Sequence, residues 1–238
     1  MPTLEKVMTK TLPASKANSD GPFGSSAIDT VVVGSNEALA QLMEGFNLLA
    51  LTPLSDVVIV PTAAAFSGAT EAALGLARLF EPSGAQVEAL MVTSRDGADE
   101  EYFVRRLTSA QWVVLTNGSA LHARSTWRGT RLGAALVVAR LIVIGETATV
   151  IGDEMIDPRG GAPTTGLGYR HGAVFTTAAS DDQLQRTRAL LSELAPLVVV
   201  GAGGVVVGSN GQWAQHSVGD VTASTPAGPL ELQRFRTQ

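Results

Sequence analysis

The stretch that decides the fold is LIVIGETATV, residues 141–150. Four aliphatic residues lead directly into Gly145, and a carboxylate and a hydroxyl follow. A short apolar run that ends at glycine and continues into a helix-compatible segment is typical of a buried central strand in a parallel sheet. We therefore predict a central strand over residues 141–144, a tight turn at Gly145 and a helix that extends to Ile156.

The turn after this strand matches part of a nucleophile elbow, the sharp strand-to-helix turn usually spelled G-x-S-x-G. Gly145 stands at the first glycine, Thr147 at the serine and Thr149 at the second glycine. Ligands of open α/β sheets bind at the carboxyl ends of the strands. The candidate site is therefore the tip of this strand, with Gly145 and Glu146 as candidate pocket residues.

Strand and helix patterns alternate five times before residue 157. This alternation favours right-handed βαβ crossovers, so we predict an α/β fold with a mostly parallel, flavodoxin-like sheet and helices on both faces. Further along, Val198–Val200, Val205–Val207 and Trp213–Val218 are short apolar or alternating segments separated by Gly-rich turns. We predict that they form antiparallel hairpin additions at the edge of the sheet.

The 238 residues suit a single domain with a large core. Residues 1–27 are rich in Gly, Pro, Ser and Asn and lack the apolar segment of a secretory signal, so we predict a flexible leader. Residues 28–223 form the predicted α/β domain. Residues 224–238 are predicted to be a poorly held tail.

Composition excludes several classes of function. The net charge is −5 and there is no basic stripe, which argues against nucleic acid and anionic membranes as partners. The chain has no cysteine and no apolar run long enough to span a membrane, so we expect a cytoplasmic protein. We expect no cofactor, because the glycines at 201–204 are followed by a strand rather than by the helix of a dinucleotide site. We also expect no metal site, since Asp153, Glu154 and Asp157 lack a histidine at ligand spacing.

Several short segments occur in an order that resembles one enzyme family. They are VVG at 32–34, IVPTA at 59–63, NGSAL at 117–121, the elbow at 144–150, GLG at 166–168 and RTR at 186–188. Over residues 29–222 this order resembles the cyanophycinase and aspartyl-dipeptidase (peptidase E) family of serine peptidases. The resemblance implies a class I glutamine-amidotransferase-like fold and a Ser-His pair that hydrolyses aspartyl peptide bonds.

The differences from that family fall on the residues that carry the chemistry. The nucleophilic serine corresponds to Thr147, the following glycine to Thr149, and the family's G-G-D-Q tip to residues 117–120. The interval 172–186, where the family has its catalytic histidine, contains no histidine. Scaffold motifs are retained while reactive ones are lost, which suggests a member that has left the peptidase reaction.

Each candidate residue has a functional and a structural interpretation. Thr147 is a nucleophile or an N-cap, and Glu146 is a general base or a carboxylate that compensates the helix dipole. A threonine nucleophile needs an adjacent base, and His171 or His122 would supply it unless both are ordinary loop histidines. The tip of the preceding strand adds three candidate pocket residues, which are Asn117, Gly118 and Ser119.

Three hypotheses follow. The first is a degenerate relative of the peptidases that binds a small peptide-like or amino-acid-like ligand, or a protein partner, at the strand tips. The second is an active hydrolase of aspartyl or β-aspartyl bonds that uses Thr147 or Glu146, assisted by His171 or His122. The third is a structural subunit of a homo-oligomer, a state that we expect for this chain.

Overall fold

The computed structural model describes residues 28–45, 47–156, 164–177, 180–191, 196–216 and 220–235. The predicted leader, Asp157 and Val218 lie outside these residues. The strands, in chain order, are β1 Thr30–Val33, β2 Asp56–Val60, β3 Gln86–Ala89, β4 Trp112–Leu115, β5 Leu141–Ile144, β6 Glu154–Met155, β7 Thr164–Thr165, β8 Val174–Thr177, β9 Leu197–Val200, β10 Val205–Ser209, β11 Gln212–His216, β12 Val221–Thr225, β13 Gly228–Leu230 and β14 Gln233–Phe235. The α-helices are α1 Asn36–Gly45, α2 Ala69–Phe80, α3 Glu101–Ser109, α4 Ala120–Trp127, α5 Arg131–Val138 and α6 Asp181–Leu190.

The central sheet has eight strands in the order β14-β11-β10-β1-β5-β4-β2-β3. Strand β5 lies between β1 and β4 and is parallel to both, with Val143 opposite Val32 on one side and Leu115 on the other. All four residues of β5 are fully buried. The prediction that residues 141–144 form the central strand of a mostly parallel sheet is therefore confirmed.

Helices cover both faces of this sheet, as the sequence predicts. On one face, Leu141 and Val143 of β5 belong to a core cluster that includes side chains of α3, α4 and α5. On the other face, Ile142 and Ile144 belong to a cluster with side chains of α1 and α2. This alternation follows from the pleat of a strand, which sends successive side chains to opposite sides. No helix among the described residues is both long enough and apolar enough to cross a membrane.

The antiparallel hairpins predicted near the C-terminal end are found only in part. Strands β10 and β11 form the predicted antiparallel hairpin, and β10 is also antiparallel to β1. Asn210 and Gly211 at its tip have φ of 49° and 75°, the left-handed values that a tight two-residue hairpin requires. Residues Val198–Val200, however, do not join the edge of this sheet. They lie in β9 of a separate four-stranded sheet, parallel to β8 and antiparallel to β12.

Residues 224–235 of the predicted tail contribute strands to both sheets. Ser224 pairs with Leu197 in the second sheet, and Arg234 pairs with Gln215 in the central sheet. Because this end of the chain finds its hydrogen-bond partners in strands that are distant in sequence, its polar composition alone does not reveal its structure.

Burial lowers the pKa of His216, whose side chain on β11 is 1% exposed. Below a pH of about 6.5 the unfolded chain binds a proton here that the folded protein does not. We therefore expect this group to lower the free energy of unfolding as the pH falls from about 6.5 through its depressed pKa, and to have no such effect at higher pH.

Urea unfolding of the His216→Gln variant between about pH 5 and pH 8 tests this expectation, because part of the acid dependence should disappear. His171→Gln is the matched control, since the side chain of His171 is 72% exposed. An equal change of slope in both variants would contradict the prediction.

Candidate functional site

The tips of β4 and β5 meet through the side chain of Asn117. Its Oδ1 accepts the backbone N–H of Gly118 at 2.9 Å and that of Glu146 at 3.0 Å. Gly145 has a φ of 57°, and a Cβ there would lie 2.4 Å from the same Oδ1. The structure thus brings together four of the predicted pocket residues, and a side chain at Gly145 would displace Asn117.

Two backbone N–H groups that converge on one oxygen resemble the donor pair of an oxyanion hole, where donors lie about 2.7–3.1 Å from the developing charge. At this tip the donors are those of Gly118 and Glu146, and the oxygen is the carboxamide oxygen of Asn117. Both N–H groups therefore have their acceptor within the chain itself. As long as Asn117 accepts these two hydrogen bonds, neither N–H group is free to donate to the oxygen of a ligand.

Thr147 does not have the features of an elbow nucleophile. Its side chain is fully buried, and its Oγ1 donates to the carbonyl oxygen of Thr116 at 2.6 Å. The left-handed backbone falls at Gly145, and Thr147 is not among the residues with positive φ. Thr147 is also not an N-cap, because it lies inside the 3-10 helix Gly145–Val150. Its hydroxyl ties the tip of β5 to the tip of β4.

The prediction of an α-helix through Ile156 is wrong. The 3-10 helix is followed by the short strand β6, which pairs with β7. The segment 166–170 approaches this stretch and donates backbone N–H groups to Val150 and Ile151 at 2.8 Å each. Carbonyl groups that would bond within a continuing helix are thus used by a neighbouring segment. Glu154 accordingly lies on a strand.

Glu146 is exposed beside the bonded tip residues. Its backbone N–H is bonded to Asn117, whereas its carboxylate makes no hydrogen bond or ion pair with any residue that the structure describes. The carboxylate is therefore the one ionisable group at this tip that is free to meet a ligand within the described part of the chain.

Each candidate histidine uses one ring nitrogen in a hydrogen bond away from Thr147. Nε2 of His122 donates to the carbonyl oxygen of Thr93 at 2.9 Å, and its ring packs edge-on against Phe66. Nδ1 of His171 donates to the carboxylate of Asp153 at 2.8 Å. Neither imidazole is hydrogen-bonded to Thr147, whose hydroxyl donates to a backbone carbonyl. The structure therefore does not join the candidate nucleophile to a base.

Ser119 and Gly118 have structural roles at this tip. Ser119 caps α4, where its Oγ accepts the N–H of His122 at 3.3 Å, and its own N–H donates to the carbonyl oxygen of Ala63. A Cβ on Gly118 would lie 2.2 Å from that same carbonyl oxygen. Both residues hold the tip of β4 against the segment that follows β2. Among the described residues, no cluster of three or more acidic or histidine side chains is placed to hold a metal ion.

The sequence analysis misses Arg170, which is buried with 8% of its side chain exposed. Burial lowers the pKa of its guanidinium, and the carboxylate of Asp29 acts in the opposite direction. Its hydrogen-bond acceptors are the Thr30 hydroxyl and the carbonyl oxygens of Val137, Tyr169, Ala139 and Asp29. Arg170 thus ties the segment before β8 to the start of β1 and the end of α5. An arginine beside a histidine in a Gly-rich loop gives no sequence signal for such a role.

The solved structures that are similar to this chain include two peptidase-like proteins. A peptidase from an acI-B1 actinobacterium aligns with a TM-score of 0.65 and 18% identity, over 88% of this chain and 94% of the other. A protein provisionally assigned as peptidase E from Listeria monocytogenes EGD-e aligns with a TM-score of 0.55 and 11% identity, over 78% of this chain and 96% of the other. The chain has a peptidase-E-like fold. No protein-family model and no curated protein matches it.

The peptidase-E-like fold accounts for the mostly parallel sheet, the helices on both faces and the antiparallel strands near the C-terminus. At these identities the similarity extends to the fold alone, because one fold hosts many chemistries. The function of the chain therefore depends on the hydrogen-bonded groups at the tips of β4 and β5.

Proposed function

We propose that this protein is a degenerate relative of the cyanophycinase and peptidase E enzymes that no longer carries out the serine-peptidase reaction. Its strand tips would then bind a small peptide-like or amino-acid-like ligand, or a partner that presents such groups. The observation that carries this proposal is the buried hydroxyl of Thr147, which donates to the carbonyl oxygen of Thr116 at 2.6 Å.

A hydroxyl nucleophile must transfer its proton to a neighbouring base before or during attack. The proton of Thr147 points to a carbonyl oxygen, which is not a base at neutral pH, and neither His122 nor His171 is bonded to this hydroxyl. A side chain with no exposed surface also cannot reach a substrate carbonyl. Both observations support the proposal that Thr147 does not act as a nucleophile.

The hydrogen bonds accepted by Asn117 support the same proposal, because they engage donors that could otherwise stabilise a developing negative charge. Hydrolysis of an amide needs free donors for the oxygen of the tetrahedral intermediate, and loss of one such donor costs about 10²–10³ in kcat. The N–H groups of Gly118 and Glu146 are donated to Asn117. The free carboxylate of Glu146 remains available, and it suits the ammonium group of a peptide-like ligand.

The proposal predicts that the purified protein does not turn over aspartyl dipeptides or β-Asp-Arg dipeptides above the buffer blank. Thr147→Ser should be equally inactive, because a serine hydroxyl at this position can keep the bond to Thr116. Thr147→Val removes that donor without a large change in volume and should lower the free energy of unfolding by about 1–2 kcal/mol. Amino-acid analysis of the products and urea unfolding measure the two effects.

The same peptides should bind without being cleaved, and Glu146→Gln should weaken that binding in isothermal titration calorimetry. The alternative is that Glu146 acts as a general base for an active hydrolase, and its exposed carboxylate is the observation that favours this. Turnover that Thr147→Ala or Glu146→Gln abolishes would support the alternative and reject the proposal. Absence of both binding and turnover would reject the ligand-binding part.

A further inference from the structure

Three arginine side chains lie together at the C-terminal end of α4. Arg124 and Arg128 are four residues apart at this end, and side chains with that spacing are neighbours on a helix surface. Nη1 of Arg95, in the loop that follows β3, donates to the carbonyl oxygens of Ser125 and Arg128 at 3.0 and 2.7 Å. Because Arg95 comes from a distant part of the chain, the sequence does not show the three residues as a basic run.

None of these three guanidinium groups forms an ion pair within the part of the chain that is described. Nε of Arg124 donates to the carbonyl oxygen of Thr165 at 2.8 Å, and its Nη2 donates to the hydroxyls of Thr164 and Thr165. Arg95 donates only to backbone carbonyl oxygens, and the side chain of Arg128 makes no hydrogen bond to a described residue. The cluster therefore carries three positive charges that the fold does not neutralise, in a chain whose net charge is −5.

The charges of the cluster act on one another. The pKa of Arg124 is lowered first by burial and then by the charge of Arg128. Two carboxylates lie close in sequence to the cluster, those of Asp96 and Asp99, but neither is paired with it. Asp99 instead accepts a backbone N–H at the start of α5 at 2.7 Å. Close guanidinium groups repel each other, so an anion bound between them would relieve that repulsion.

The donors that remain at this cluster are accessible. Arg95 and Arg128 are exposed, and Arg124 is half-buried. Nε and Nη2 of Arg95, which form one edge of its guanidinium, make no hydrogen bond to a described residue, and neither do the side-chain nitrogens of Arg128. Two N–H groups on one guanidinium edge match two oxygens of a phosphate or carboxylate. Three charges without a partner favour an anion that carries more than one charge.

We propose that this cluster binds a phosphate dianion, either free or carried by a small phosphate monoester. Arg95 presents its Nε–Nη2 edge to two phosphate oxygens and Arg128 pairs with a third, while Arg124 adds positive charge from its fixed position. The cluster shares no residue with the strand tips of the proposed function, so the two proposals stand or fall separately.

Calorimetric titration of the full chain at pH 8 and low ionic strength tests the proposal. Inorganic phosphate and glycerol 3-phosphate are both largely dianions at this pH. We expect at least one of them to bind with a Kd of about 1 mM or tighter, and acetate, which carries a single charge, to bind at least about tenfold more weakly. Tighter binding of the ester would identify an organic phosphate as the ligand, and tighter binding of inorganic phosphate would identify the free ion.

Arg128→Gln and Arg95→Gln should each weaken binding of the phosphate compound by about 3–10-fold. Arg78→Gln is the matched control, because Arg78 is also exposed, makes no side-chain hydrogen bond or ion pair to a described residue, and lies on α2 at the other face of the sheet. Its affinity should stay within about twofold of the wild type. The proposal is overturned if neither phosphate compound binds more tightly than acetate, or if Arg128→Gln and Arg78→Gln weaken binding equally.

Thermal unfolding offers a second measurement. We expect 20 mM phosphate to raise the Tm of the wild type by about 3–7 °C over sodium chloride of the same ionic strength. Phosphate also stabilises proteins by exclusion from their surface, but that effect is common to all variants. Arg128→Gln, which removes no contact of the described fold, should therefore lose about half of the shift or more, whereas Arg78→Gln keeps it. Equal shifts in the wild type and Arg128→Gln would overturn the proposal.

Discussion

Replacing Arg170 with methionine is expected to lower the free energy of unfolding by about 2–4 kcal/mol. The guanidinium lies 3.5 Å from the carboxylate of Asp29 and donates to the carbonyl oxygens of Val137 and Tyr169 at 2.9 and 2.7 Å. Methionine fills much of the volume but supplies no donor, so buried carbonyl oxygens lose their partners. Because Asp29 is 35% exposed, water can solvate its carboxylate, and we expect a cost below that of a fully buried ion pair.

Urea or thermal unfolding measures this effect. Arg105→Met is the matched control, since its ion pair with Glu101 on α3 is 71% exposed on both sides. That variant should stay within about 0.5 kcal/mol of the wild type. Equal stability of the two variants would contradict the structural role assigned to Arg170.

Strand β5 shows why the core of this fold could be predicted from the sequence. Residues 141–144 are all large and aliphatic, and a strand buried on both faces needs apolar side chains at every position. The glycine that follows has the positive φ of a turn. Both features depend on the chemistry of consecutive residues, so they are visible without any knowledge of the neighbouring strands.

The segment after Gly145 shows where such prediction stops. Its sequence is compatible with a helix, yet Gly166 and Gly168 donate their N–H groups to Asp153 and Gly152, and β6 pairs with β7. The partners are more than ten residues away, and no local pattern specifies them. Tertiary pairing of this kind overrides local propensity, which is a weak guide for a single turn.

The sequence predicted where the candidate site lies, but not which of its atoms are hydrogen-bonded to each other. Parallel strands end at one edge of the sheet, so the tips of β4 and β5 were expected to meet, and Asn117 and Glu146 are hydrogen-bonded there. Which atom bonds to which depends on contacts of a few ångströms. The donation from Thr147 to Thr116 and the shared oxygen of Asn117 therefore became visible only in three dimensions.

Gly118 is the second position at which we expect a large effect. It has a φ of 150°, and a Cβ would lie 2.2 Å from the carbonyl oxygen and 2.5 Å from the carbonyl carbon of Ala63. The contact is with backbone, which cannot rotate away as a side chain can. Gly118→Ala should therefore lower the free energy of unfolding by about 2–4 kcal/mol through strain and displacement of the tip.

Gly75→Ala provides the matched control for this substitution. Gly75 lies inside α2, and a Cβ there would have no atom within 4 Å. Alanine should therefore stabilise the protein by about 0.5–1 kcal/mol, since glycine disfavours a helix interior. Opposite signs for the same chemical change would show that close backbone packing at the β4 tip requires Gly118. If Gly118→Ala instead unfolds like the wild type and only ligand affinity changes, Gly118 would belong to the binding surface rather than to the support of the tip.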